Sequence, residues 1–346
     1  MFERLAPLQH DTLDGVPEPR ETFALYGHAA AAGQLAQAYA GDKLHHALLF
    51  AGPQGVGKAT LAFALARHML AFPNRADRTP FLAASEPGSA LFRQVAQAAH
   101  PGVLHLTRPY DDKRKVFKTM LTVEEIRRVS RFVTTTQHDG GWRVVIVDSA
   151  DDMNAAAANA LLKNLEEPPA KTLFIVISHA PGRLLPTIRS RCQLVRLGPL
   201  EPDDLAKAVS QATGGSAFDP AAVSAADGSV RAALLAVNHG GLELAAAADA
   251  LLSARSFDPA AALKLGEAVS GRDGDIPFRL LMQHLLGRLA KSAKKAGEAG
   301  DLHRANRLAS AWQAASAATG EAMAYNLDKK QHAAALLEQV HGLSPA

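Results

Sequence analysis

Over the first 200 positions, short runs of apolar, often β-branched residues alternate with longer stretches of helical period; after that the short runs stop. Leu48-Leu49-Phe50-Ala51, Val103-Leu104-His105-Leu106, Val144-Val145-Ile146-Val147, Phe174-Ile175-Val176-Ile177 and Leu194-Val195-Arg196-Leu197 each read as a strand. Their hydrophobicity is near-continuous rather than alternating, which predicts burial on both faces and hence one parallel sheet covered by helices. Between them, the pattern predicts an alanine-rich helix from Tyr26-Gly27-His28 to about Gly41 and a helix that fades near Phe72-Pro73-Asn74. Thr122 with Glu125 reads as a capping box opening a helix that carries Ile126, Val129 and Val133, and Gly140-Gly141 breaks the chain after it. Asn154 caps the next helix, whose apolar stripe holds Leu161, Leu162 and Leu165 before Pro168-Pro169 stops it. Beyond Gly198-Pro199 the pattern is helical and rich in alanine and leucine, with breaks at Gly214-Gly215, Gly240-Gly241 and Gly271 to Gly274. The expected division is an α/β domain over 1–200, a small helical domain over 201–250 and a second helical domain over 251–346, with residues 1–20 as a loosely ordered lead-in.

The first strand feeds Gly52-Pro53-Gln54-Gly55-Val56-Gly57-Lys58, followed by a helix-like segment. That is the layout of a phosphate-binding P-loop. Glycines at 52, 55 and 57 let successive N–H groups turn inward, the helix start adds its positive dipole end, and Lys58 supplies a point charge. One position departs: the hydroxyl residue that normally follows the lysine and reaches Mg²⁺ is Ala59. Thr60 points about 100° away around a helix and does not replace it. The expectation is a loop that cradles phosphate weakly and holds the metal badly.

The length of 346 residues suggests two or three domains. A charge balance of 37 basic against 34 acidic residues, net +3, neither demands nor excludes nucleic acid. Hydrophobic residues make up 48%, yet no apolar run approaches the ~20 residues of a membrane span. The start, M-F-E-R-L-A-P-L-Q-H-D, has no apolar core of a secretory signal, so the expected compartment is the cytoplasm. The single cysteine, Cys192, rules out an internal disulfide and fits a reducing compartment. His45 and His46 are adjacent, cannot share a helix face and read as loop residues rather than a metal pair. The run Lys113-Arg114-Lys115 with Lys118 leaves a solvated loop and a phosphate contact both open, whereas Lys291, Lys294 and Lys295 read as a solvated helix face.

Asp148 ends an apolar strand, where a carboxylate reaches the metal shell beneath bound phosphates. Its successor is Ser149, a poor general base, and Asp151 and Asp152 are the nearest candidates to compensate. The string from Asp148 to Pro169, D-S-A-D-D-M-N-A-A-A-A-N-A-L-L-K-N-L-E-E-P-P, and T-I-R-S-R-C from Thr187 to Cys192 closely resemble the clamp-loader branch of AAA+ ATPases. The resemblance is strong from about His45 to Leu197 and weaker at Gly228-Ser229-Val230-Arg231 and Tyr325-Asn326-Leu327-Asp328.

It implies an AAA+ P-loop domain over 1–200, a helical lid over 201–250 and a helical collar over 251–346 through which subunits assemble. It makes Ser190-Arg191-Cys192 the motif whose Arg191 projects towards ATP held by a neighbour, a role suited to a fixed charge with a planar fork. Ser178 and His179 take the sensor 1 position, and Arg231 the lid's sensor 2 position. The family often carries a four-cysteine zinc module after the P-loop helix; Pro73 to His100 has no cysteine, so no zinc is expected. Ala59 and Ser149 together argue against turnover. The implied function is that of a clamp-loader subunit of the DNA polymerase III holoenzyme, feeble or silent as a catalyst. Its implied partners are gamma/tau and delta subunits, the sliding clamp and, through the complex, primed DNA. The rival expectation is a true AAA+ ATPase with Thr60 or Asp151 covering for the lost groups; a small-molecule P-loop kinase explains the loop but neither the S-R-C segment nor the helical tail.

Overall fold

A computed structural model describes residues 3–134, 141–215, 220–271 and 274–343. Gly140 of the expected Gly140-Gly141 break lies outside the described residues, as do 272 and 273 within the expected break from Gly271 to Gly274. The chain separates into two compact units, residues 1–217 with 227–231, and residues 218–226 with 232–346. Residues 201–250 are thus shared between the units.

The first unit runs α1 (Ala29–Ala40), β1 (Ala47–Ala51), α2 (Lys58–Ala71), α3 (Ala90–Ala96), β2 (Val103–Leu106), β3 (Tyr110–Asp111), β4 (Val116–Phe117) and α4 (Val123–Thr134). It continues through β5 (Arg143–Val147), α5 (Ala155–Glu166), β6 (Thr172–Ser178), α6 (Pro186–Arg191), β7 (Gln193–Arg196) and α7 (Pro202–Ala212). Five strands form one parallel sheet in the order β2-β5-β6-β1-β7, and β3 and β4 make a separate antiparallel hairpin. The α/β P-loop architecture expected from the pattern is the one observed. Alternate residues serve opposite faces, as a pleated strand requires. Leu48, Phe50, Val144, Ile146, Ile175 and Ile177 pack with Leu35, Tyr39, Leu61, Phe63 and Met69 of α1 and α2. Leu49, Val145, Val147, Phe174 and Val176 pack with Ile126, Val129, Leu161, Leu165 and Ile188 of α4, α5 and α6.

Two local expectations are corrected. Asn154 does cap α5, accepting from the Ala157 N–H at 2.8 Å. The Glu125 carboxylate, however, does not close a capping box with Thr122; it takes Arg128 at 2.7 Å, an opposite charge one turn away. From residue 3 on, the lead-in is also not loose; residues 1 and 2 lie outside the described residues. Glu21 Oε1 accepts from the amides of Leu5 and Ala6 at 2.5 and 3.0 Å, Arg4 pairs with Glu18 at 3.0 Å, and Glu18, Arg20 and Glu21 are buried. Proline and glycine removed the helical and strand signals there, but side chains supply the order that backbone pairing does not.

The second unit contains α8 (Pro220–Ala225), most of α9 (Val230–Asn238), α10 (Gly241–Leu252), α11 (Pro259–Ala268), α12 (Asp275–Glu298), α13 (Leu302–Ala324) and α14 (Lys329–Leu343). Leu251, Leu252, Leu265, Phe278, Leu285, Leu289, Leu336 and Leu337 form its core. No helix among the described residues is long and apolar enough to cross a membrane.

Candidate nucleotide-binding site

β1 lies between β6 and β7, so its C-terminal end opens where the strand order reverses, the usual crevice for a ligand in such sheets. The loop turns tightly over Leu197: a Cβ on Gly52 would sit 1.9 Å from the Leu197 carbonyl oxygen. Gly55, at φ 79°, would put a Cβ 2.3 Å from Ser229 Oγ and 2.6 Å from Arg231 Cβ. Gly228-Ser229-Val230-Arg231 therefore lies directly on the loop.

Every carbonyl from Gly52 to Val56 is satisfied by a donor of this unit. Lys58 Nζ donates to Gly52 O at 2.7 Å and Pro53 O at 2.5 Å. Ser229 Oγ donates to Gln54 O at 2.9 Å, the Val230 N–H to Gly55 O at 2.9 Å, and His28 Nε2 to Val56 O at 2.7 Å. With the carbonyls tied back, the amides remain: among the described residues nothing accepts from the N–H groups of Gln54, Gly55, Val56 or Gly57, and α2 starts at Lys58. Such a run of unmatched donors at a helix start suits an anion.

Lys58 is buried, and burial pushes its pKa down to about 8 while Asp148 and Asp151 pull it back up. A phosphate would have to draw its ammonium off two carbonyls. The Ala59 methyl packs against the apolar core, and Thr60 is one position further around the helix. The donor set therefore fits a phosphate but does not fit Mg²⁺ held through the loop.

Asp148 stands at the end of β5 with its N–H donating to Leu106 O at 2.9 Å. Burial alone would raise its carboxyl, but His105, His179 and Lys58 beside it outweigh that and hold it below the ordinary carboxylate value. His105 Nε2 lies 3.7 Å from Asp148 Oδ2, and the buried Arg20 donates to His105 Nδ1, which leaves the ring proton on Nε2, facing the carboxylate. Burial keeps His105 below its usual pKa, so the ring is neutral near pH 7.

Asp151 accepts from Ser178 Oγ at 2.7 Å and from the amides of His179 and Ala180 at 2.6 and 3.3 Å. Asp152 accepts from Arg108 at 2.5 Å. Both acids are engaged in holding the loop after β6 and the turn after β5. Ser178 itself touches the P-loop through its carbonyl, which accepts from the Gly52 N–H at 3.3 Å.

Arg231 reaches past the loop to Asp11, donating to its carbonyl at 2.6 Å with the carboxylate 3.5 Å away. Gly52, Gly55, Gly57, Lys58, Ala59, Thr60, Asp148, Ser178 and Arg231 are thus gathered around one strand end. Arg191 is not among them. It ends α6 just before β7, and Gln193 of β7 is level with Leu48 of β1, so Arg191 lies roughly 15 Å of strand away from its own P-loop, at the opposite end of these two neighbouring strands. There it pairs with Glu166 at 2.7 Å and stays partly exposed, while burial raises the neighbouring Cys192 thiol to about 11. His28, Arg20, His105 and Ser229 were not legible as site residues. Tyr26-Gly27-His28 stood out only as punctuation, and Gly228 to Arg231 only as a weak stretch of the resemblance with Arg231 as its site residue; contacts spanning 28 to 175 positions leave no local pattern.

A family model described as DNA polymerase III, delta subunit, matches residues 27–201, just over half of the chain. The delta' subunit of Pseudomonas aeruginosa DNA polymerase III is 38% identical over 147 residues, 42% of this chain and 41% of that one. The Escherichia coli delta' subunit is 36% identical over 167 residues, 48% of this chain and 46% of that one. The gamma/tau subunit of Mycobacterium bovis is 33% identical over 180 residues, 50% of this chain and 28% of that one. The chain therefore matches less than half the length of these relatives. Among solved structures, a DNA polymerase III gamma subunit-related protein of Thermotoga maritima aligns at a TM-score of 0.40 and 20% identity, over 78% of this chain and 75% of that one. From the match over residues 27–201 and the delta' relatives at 36–38% identity, the chain belongs to the DNA polymerase III delta-subunit family.

Proposed function

We propose that this chain is a clamp-loader subunit of DNA polymerase III that does not itself turn over ATP and supplies Arg191 to nucleotide held by a neighbouring subunit. The observation that carries the reading is the separation of Arg191 from its own P-loop, at opposite ends of neighbouring strands. An arginine so placed cannot serve its own loop, whereas its guanidinium needs only to leave Glu166, an exposed pair worth at most about 1 kcal/mol, to meet a phosphate presented by another chain. The P-loop side supports silence: a methyl at Ala59, a hydroxyl at Ser149, and Asp151 and Asp152 both engaged. The retained amides and Lys58 fit weak, magnesium-insensitive nucleotide binding. On this reading the partners are gamma/tau and delta subunits, the sliding clamp and primed DNA, in the cytoplasm. The helical segment over 201–250 serves as lid and that over 251–346 as collar.

The test is steady-state ATP hydrolysis by the purified chain, with Lys58→Ala as the control for contaminating activity. Turnover no greater than that of the control is expected. Turnover that vanishes with Lys58→Ala would overturn the silent-subunit reading and make the chain a motor.

A further inference from the structure

The hairpin β3–β4 stands apart from the main sheet, and its turn carries Lys113, Arg114 and Lys115, with Lys118 just beyond; all four are exposed. Asp111 Oδ1 accepts from the backbone amides of Lys113 and Arg114, both at 3.1 Å, which shapes the turn, and forms no ion pair with the cations. Among the described residues, none of the three turn cations takes part in an ion pair. Exposed Asp112 remains the one acid at the tip.

The charge here is not a sample of the average surface. Residues 108–131 hold eight basic and four acidic residues, net +4, so the rest of the chain, at a total of +3, is net −1. The excess continues from the hairpin onto α4, whose Ile126, Val129 and Val133 are buried and whose Arg127, Arg128 and Arg131 are exposed. Tyr110 is 48% exposed at the base of the hairpin, set edge-on against Phe117 with ring centroids 5.0 Å apart, so an aromatic ring stands among the cations.

Both arms of the hairpin are fastened to one short turn. Arg108 donates to the Asp152 carboxylate at 2.5 Å, the Leu121 N–H to Asp152 O at 2.8 Å, and the Asn154 N–H to Leu121 O at 3.2 Å. That turn lies between Asp148 and α5 and also carries Asp151, the acceptor for Ser178, His179 and Ala180. The hairpin is therefore a braced finger rather than a solvated loop.

We infer that the hairpin tip at Lys113–Lys115, continued by Lys118 and the exposed arginines of α4, is a contact surface for the phosphate backbone of nucleic acid. Consecutive unpaired cations on a braced turn meet a polyanion without first breaking internal pairs, and an adjacent exposed ring offers a base or sugar a stacking face. An acidic protein partner is less well matched, because the exposed apolar side chains here, Tyr110, Val116 and Met120, alternate along the chain with cations, and the turn from Asp112 to Lys115 is wholly charged. The P-loop and Arg191 take no part in this surface, so its success or failure is separate from theirs.

Binding of the full chain to a fluorescein-labelled duplex with a single-stranded 5′ extension would be measured by anisotropy over a salt series. The unsubstituted chain is compared with Lys113→Ala/Arg114→Ala/Lys115→Ala and with Lys291→Ala/Lys294→Ala/Lys295→Ala, a second basic cluster of equal charge. The expected result is a loss of about tenfold or more at low salt in the hairpin variant alone, with the slope of log K against log salt reduced by about 2 to 3. No salt-dependent binding by the unsubstituted chain, equal losses in both variants, or tighter binding to poly-glutamate than to the duplex would each overturn the inference. Unchanged thermal unfolding of the exposed-turn variant confirms that the comparison is between folded proteins.

Discussion

Lys58 places its ammonium on two carbonyls of its own loop, where burial holds its pKa near 8, well below the ordinary 10.5. The unfolded chain therefore binds this proton more tightly than the folded one, and folding stability gains as pH rises between those values, by up to about 3 kcal/mol. Denaturant titrations of the parent and of Lys58→Met should show the difference between them moving in the parent's favour over that window. A difference independent of pH would mean that the ammonium is not desolvated. The same residue explains why phosphate binding is expected to be weak: the ligand competes with two existing hydrogen bonds, each worth about 0.5–1.5 kcal/mol net. Lysine at this position was legible from the P-loop spacing, but its present partners were not, since they depend on which way the Gly52 and Pro53 carbonyls face.

At the scale of elements, the stretch between α2 and α3 is held without cysteines. Arg78 lies over the Tyr39 ring at 4.1 Å and near Trp142 at 5.7 Å, and donates to Tyr39 O at 2.9 Å and to Asp42 Oδ1 at 2.5 Å. One guanidinium thus joins the end of α1, the start of β5 and the connection after α2, and the Tyr39 hydroxyl, buried beside it, is pushed up to about 12. Arg78→Ala should cost about 1–3 kcal/mol by equilibrium unfolding, and Arg78→Lys should recover less than half of it, because an ammonium neither stacks nor forks. Equal stability of the lysine variant and the parent would reduce Arg78 to a point charge. All five strands of the sheet were visible as apolar runs, with bounds within two residues of those observed, because continuous burial leaves a continuous pattern. The hairpin β3–β4 was not, since two-residue strands carry no period.

For the whole molecule, the proposed division of labour places nucleotide chemistry in a neighbour and the arginine here. In a complex reconstituted with gamma/tau and delta subunits, Arg191→Ala should lower ATP hydrolysis by at least tenfold, while the isolated variant unfolds within about 1 kcal/mol of the parent. Full activity of that complex would leave the Arg191–Glu166 pair as a surface salt bridge and nothing more.

The sequence by itself determined the parallel sheet, the P-loop, the missing hydroxyl at Ala59 and the family, because each is written in residues close together along the chain. Tertiary structure alone decided how those parts are used. It brought Ser229, His28 and Lys58 onto the loop carbonyls, committed Asp151 to the loop after β6, and ordered the lead-in through Glu18 and Glu21. It also set Arg191 at the start of β7, the opposite strand end from its own P-loop. Hydrophobic period fixes which elements form and which face they bury; the direction of a polar side chain is fixed only when distant segments present it with a partner.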